Sequence, residues 1–194
     1  TPRVVSLIAS ATEWVAALGA GVWLVGRSHE CDFPPEVLAL PACSAAKFDV
    51  HGDSREIDDR VKATLATGTS VYRLEQDQLA ELAPTVVITQ TQCEVCAVSL
   101  KDVEQSVCDW SISVPTVVAC APNSLADVWD DGRKIAAALG LEARGEELIA
   151  SLQARLKRVA VLHALAGPTT NGNVLSLRHL EIDKVTERRF GPDD

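Results

Sequence analysis

The chain has 194 residues, 47% hydrophobic and 23% charged, the proportions of a folded globular protein rather than a disordered one. A net charge of -9 leaves no basic stripe for a nucleic-acid backbone, so no nucleic-acid partner is expected. No apolar run approaches the roughly 20 residues needed to span a bilayer, so no membrane span is expected either.

The first apolar run, Val4-Val5-Ser6-Leu7-Ile8, is short and rich in β-branched residues, which predicts a buried strand. Ser10 and Thr12 offer hydroxyl caps, and Trp14, Val15, Ala17 and Leu18 continue as a helix that Gly19 and Gly21 stop. Val22 to Gly26 reads as a second strand. It runs into a polar cluster, Arg27-Ser28-His29-Glu30-Cys31-Asp32. Such a βαβ unit places its chemistry at the carboxyl ends of the strands, the edge where open α/β sheets bind ligands.

Pro34 and Pro35 enforce an extended lead into a short turn, and residues 41–60 read as surface loop. A helix from Arg55 to Ala66 places Ile57, Val61 and Leu65 on one face, which is expected to be buried. Ser70 to Leu74 is a strand or extended connection, and Gln76 to Leu82 is a short helix closed by Pro84. Thr85 to Thr89 is the clearest strand, with Gln90-Thr91-Gln92-Cys93-Glu94-Val95-Cys96 at its carboxyl end. A helix over 99–107 and a strand from Pro115 to Ala119 complete the alternation, which predicts a parallel sheet of four or five strands.

Asn123 or Ser124 then caps a helix with Leu125, Val128, Ile135 and Leu139 inward, ended by Gly140. A long helix over 142–162 comes next, with Leu148, Ile149, Leu152, Leu156 and Val159 on one face. Pro168 to Asn173 reads as a linker, Asn173 to Leu177 as one further strand, and the acidic tip from Gly191 as frayed. Three segments are therefore expected: an α/β unit over 1–122, a helical region over 123–163, and a linker with a strand over 164–194.

His29 is the sharpest chemical candidate, because a neutral imidazole at a strand end can ligate a transition metal or bond a neighbouring loop. Cys93 and Cys96 have the spacing of zinc, iron–sulfur and redox centres, and Cys31 with His29 can complete a Cys₃His metal set of unknown metal. A disulfide, or plain loop packing, accounts for the same pair. Cys43, Cys108 and Cys120 read as small buried apolar residues, and Trp14 and Trp23 as core. Ser10 and Thr12 can take an anionic or carbonyl group of a ligand, or serve only as caps. No nucleophile–base–orienter set and no GxGxxG succeed the strands, so no enzyme activity is expected. Six cysteines, below the density of a disulfide scaffold and grouped in HECD and CEVC, with no leader before Val4, favour a cytoplasmic compartment over a periplasmic or organellar one.

With both clusters placed, the chain resembles the cobalamin-binding branch of the helical-backbone (class III) periplasmic binding proteins, the substrate-binding partners of ABC transporters for metal chelates. The resemblance rests on Val5-Ser6-Leu7 with Ser10-Ala11-Thr12-Glu13, on Ser28-His29-Glu30-Cys31-Asp32-Phe33-Pro34-Pro35, on Thr89-Gln90 with Cys93-Glu94-Val95-Cys96, and on Asn123-Ser124-Leu125. It covers about residues 3–160, with Ala9 where the family usually has proline. It implies a Rossmann-like parallel-sheet lobe followed by a long hinge helix, with the second lobe missing or truncated. It further implies a ligand-binding module for cobalamin, another corrinoid or a related metal chelate. Ser10, Thr12, His29, Glu30, Tyr72, Gln90 and Gln92 would contact that ligand, and a transporter or another protein would dock on the open lobe face. A lobe alone is expected to bind cobalamin weakly or not at all, and to gain affinity when a second lobe is supplied. Two alternatives stay open: a single-lobe structural or protein-interaction subunit, and a small Cys/His metal or redox protein.

Overall fold

Residues 1–66, 71–91, 100–108 and 114–166 are described by a computed structural model, without the side chains of 101, 102, 108 and 160–166. The core is a parallel sheet of four strands, β1 (Val4–Ser6), β2 (Leu24–Arg27), β5 (Val86–Gln90) and β6 (Thr116–Cys120), in the order β2-β1-β5-β6. Between β2 and β5 lie two strands that pair with each other instead, β3 (Ser44–Ala46) and β4 (Tyr72–Leu74), antiparallel, with Ala46 opposite Tyr72.

The sheet is buried on both faces, so its strands are continuous apolar runs rather than alternating ones. Neighbouring residues still divide between the faces. Val4, Val86, Ile88 and Val118 join Ala11 and Val15 of α1 (Ala9–Ala17), Leu18 just beyond it, and Ile135, Ala136 and Leu139 of α5 (Leu125–Leu139). Val5 and Val87 join Leu79 of α3 (Gln76–Leu82) and Val103 and Val107 of α4 (Leu100–Cys108) on the other side. One apolar helix pair on each face accounts for the layered α/β arrangement.

Several expected details shift. Val22 is 89% exposed and lies in a 3-10 turn, Gly21–Trp23, so the second strand begins two residues late. α1 begins at Ala9 with extended Ile8 at its N-cap and no side-chain cap, which leaves Ser10 exposed in the first turn. α2 (Ser54–Ala66) forms, yet none of its residues is buried, because periodicity identifies the inward stripe without supplying a neighbour to cover it. Leu125 is 54% exposed at the start of α5, while Ile135 and Leu139 are buried as expected. The Phe33–Pro34 bond is cis.

Ser124 caps α5 reciprocally: its hydroxyl accepts from the Asp127 N–H, and the Asp127 carboxylate accepts from the Ser124 N–H at 2.8 Å. Gly140 ends the helix at φ 68, a left-handed conformation that a side chain would strain. α6 (Glu142–Ala166) is continuous through Leu152. Its first turns belong to the core, where Leu148 packs and Ile149 is buried. Thr1–Ala150 form one compact unit, because α5 shares the core of the sheet. The further strand at Asn173 to Leu177 lies outside the described residues, and no described helix is long and apolar enough to cross a membrane.

Candidate functional site at the carboxyl edge of the sheet

All four strands run parallel, so β1, β2, β5 and β6 end on one edge. There the Ser28 N–H donates to the Ser6 carbonyl at 2.7 Å, tying the chain beyond β2 to the end of β1. Arg27 organises the loop beyond it. Its Nη1 donates to the carbonyls of Ser28 at 3.0 Å, Cys31 at 3.2 Å and His29 at 3.4 Å, folding the loop around one guanidinium. The Arg27 N–H donates to the Pro41 carbonyl and the Arg27 carbonyl accepts from the Cys43 N–H, which brings residues 41–43 alongside β2.

That second passage delivers Ser44 to His29. Ser44 Oγ lies 2.8 Å from His29 Nδ1, accepts from the His29 backbone N–H at 3.2 Å, and donates to Ser28 Oγ at 3.0 Å. β4 adds Tyr72, whose ring meets the imidazole edge-on with centroids 4.9 Å apart. The Tyr72 hydroxyl donates to Glu30 Oε1 at 3.5 Å, a long bond, and the same oxygen lies 3.2 Å from His29 Nε2. The latter pair is close but lacks hydrogen-bond alignment, so Nε2 is shut from solvent without a bonding partner among the described residues. Burial lowers the His29 pKa; Glu30 pulls upward and the Arg27 guanidinium adds to the lowering. A neutral imidazole with an unused Nε2 is the form that can ligate a metal.

The other candidates separate. Thr12 is fully buried, its hydroxyl donating to Ser6 Oγ at 2.8 Å and lying 3.0 Å from Cys31 Sγ. Its position three residues into α1 points it at the β1 end rather than outward. Cys31 is likewise in the core, and burial raises its pKa, which opposes the thiolate that a metal requires. Among the described residues no three His, Cys, Asp or Glu groups converge to hold an ion. Glu30 and Ser10 are exposed and Gln90 is half-buried at the end of β5. Gln92, Cys93 and Cys96 lie outside the described residues, and with them the expected proximity of Cys31 to Cys93. Cys43 and Cys120 are buried free thiols, and Trp14 and Trp23 pack on the core, as expected.

Sequence reasoning missed Arg27, Ser28 and Ser44 as parts of the site. Arg27 and Ser28 stand in the cluster itself and were available to it. Ser44 sits in what reads as loop, and no local pattern marks it.

No protein-family model matches the sequence, and no curated protein matches it. Solved structures do. The periplasmic heme-binding protein RhuT from Roseiflexus sp. RS-1 superposes with a TM-score of 0.60 at 27% identity, covering 88% of this chain and 52% of its own. The fold is that of one lobe of a periplasmic binding protein. A periplasmic heme-binding protein from Pseudomonas aeruginosa gives a TM-score of 0.60 at 22% identity, covering 86% of this chain and 48% of its own. The periplasmic vitamin B12 binding protein BtuF of Vibrio cholerae gives 0.59 at 16% identity, covering 84% and 51%.

This chain spans about half the length of these proteins. Heme and B12 binders match almost equally well, so the likeness is to the wider class III group and not to its cobalamin branch alone. All three are named as binding proteins, in line with the expectation of a non-enzymatic chain. All are also periplasmic, which overturns the expectation of a cytoplasmic compartment.

Proposed function

We propose that this chain belongs to a ligand-binding module of a transport-type binding protein, working outside the cytoplasmic membrane, and that its ligand is a metal tetrapyrrole, heme or corrinoid. The observation that carries this reading is His29 Nε2: a ring nitrogen at the ligand edge, shut from solvent, with no hydrogen bond among the described residues. Buried polar atoms are nearly always satisfied, and exceptions mark functional positions. A tetrapyrrole metal would satisfy this one. His29 is 24% exposed, and the Glu30 carboxylate 3.2 Å from Nε2 belongs to a side chain 59% exposed. Tyr72 beside the ring and Ser10 and Gln90 along the same edge provide polar contacts for the rim of a macrocycle. Delivery to an ABC transporter is the partnership this reading implies.

The test is titration of the chain with hemin and, separately, with aquocobalamin, each followed by its own absorbance. At least one is expected to bind, and His29→Ala is expected to weaken that binding by about tenfold or more, equivalent to about 1.4 kcal/mol. Absence of binding by both, or equal binding by His29→Ala, overturns the reading.

A further inference from the structure

His29 has two ring nitrogens, and only the one without the hydrogen can meet a metal. Which one that is depends on the groups around Nδ1. Ser44 Oγ lies 2.8 Å from Nδ1, and its own hydrogen is used on Ser28 Oγ at 3.0 Å. Ser44 already accepts the His29 backbone N–H, and Ser28 Oγ accepts the Glu30 backbone N–H at 3.3 Å. Both serines are buried, at 2% and 5% exposure, so water does not rearrange this chain of bonds. With its hydrogen given to Ser28, Ser44 faces Nδ1 as an acceptor, the arrangement in which Nδ1 carries the ring hydrogen. The lone pair then falls on Nε2, the nitrogen that makes no hydrogen bond among the described residues.

We infer that Ser44, with Ser28 behind it, is a positioning residue that holds His29 in the Nδ1–H tautomer and so presents the Nε2 lone pair at the ligand edge. An acceptor on one imidazole nitrogen is how proteins fix the tautomer and direction of the other. The element that delivers it is β3, and its partner β4 delivers Tyr72 to the same ring, so the small antiparallel sheet clamps the imidazole at Nδ1 and at its face. The ligand consequence rests on the reading of His29 as a metal-facing residue; the tautomer itself does not.

The test has a ligand-free arm. In two-bond 1H–15N spectra of the whole chain labelled with 15N, His29 should show the Nδ1–H pattern at neutral pH. Ser28→Ala removes the acceptor of the Ser44 hydrogen without altering β3. Ser44 can then donate to Nδ1, and the ring hydrogen should move to Nε2. Ser44→Ala should also lose the Nδ1–H pattern, and Ser44→Thr, which keeps the hydroxyl and suits a strand, should restore it. Should Ser44→Ala fold poorly, Ser28→Ala reads the same network.

The second arm is hemin absorbance. Ser28→Ala and Ser44→Ala should weaken hemin binding by about 10- to 100-fold, the usual effect of losing such an outer partner, with Ser44→Thr near wild type. An Nε2–H pattern in the wild type, or no change in the variants, overturns the inference even where hemin binds. Tautomer changes as described with no hemin binding by any form sustain the role of Ser44 and overturn the ligand reading instead.

Discussion

Thr12 Oγ1 and Cys31 Sγ meet at 3.0 Å, joining the first helix to the loop after β2. The contact assigns Cys31 to the core, and the other described thiols share its situation. Burial raises the pKa of Cys31, and pushes those of Cys43 and Cys120 up to about 11. At pH 8 a thiol with a pKa of about 11 is ionised in roughly one molecule in a thousand, before steric exclusion is counted. Brief treatment of the native protein with iodoacetamide at pH 8, then peptide mass spectrometry, should find Cys31, Cys43 and Cys120 unmodified. Full labelling should appear in denaturant. Rapid native labelling of Cys31 would contradict its placement.

Thr12→Val is the matching stability test. It leaves the shape intact but removes the hydroxyl that donates to Ser6 and meets Cys31. Loss of a buried hydrogen bond with its partners left in place costs about 1–3 kcal/mol. Urea unfolding should move by that amount, and a variant as stable as wild type would show the bonds to be energetically idle.

His29 makes stability pH-dependent in a defined direction. Burial lowers its folded pKa below the unfolded value of about 6.5. As pH falls through about 6.5, the unfolded chain takes up the proton first, and the folded state loses relative stability until the folded pKa is passed. Above about pH 7 neither state is protonated at this site and the contribution is complete. The urea midpoint should therefore fall less between pH 7 and 5 for His29→Asn than for wild type. A steeper fall in the variant would reverse the sign argued here.

Gly132 lies under the Trp14 indole, where a Cβ would come 2.6 Å from the ring. Trp14 cannot retreat easily, since Trp129 meets it edge-on with centroids 6.5 Å apart and the core lies behind it. Gly132→Ala raises helix propensity by up to about 1 kcal/mol, but overpacking at a rigid ring costs about 1–3 kcal/mol. The clash should win, giving a net loss of stability in thermal unfolding together with a shift in tryptophan fluorescence. A gain in stability would show that the ring moves freely.

The reciprocal cap of α5 gives a smaller effect. Ser124→Ala removes the acceptor for the Asp127 N–H and the donor to the Asp127 carboxylate. About 1 kcal/mol of destabilisation is expected, with Ser124→Thr, which keeps the hydroxyl, closer to wild type. Chemical denaturation of both variants measures it.

The sequence by itself determined what is local. Runs such as Val86-Val87-Ile88 mark strands buried on both faces, and Ser124 with Asp127 marks the start of α5 through a bond spanning three residues. Because βα alternation makes strands parallel, it also set His29 and Gln90 on one edge. Tertiary structure alone decided which atoms meet there. Ser44 reaches His29 across 15 residues, and Tyr72 reaches Glu30 across 42, by way of two short strands whose pairing no periodicity announces. Thr12 and Cys31, which read as surface chemistry, turn inward because the sheet edge places them against Ser6. Helical period and caps are properties of neighbouring residues, whereas a hydrogen-bond partner depends on the path of the whole chain. The tautomer of His29 belongs wholly to that second kind of information.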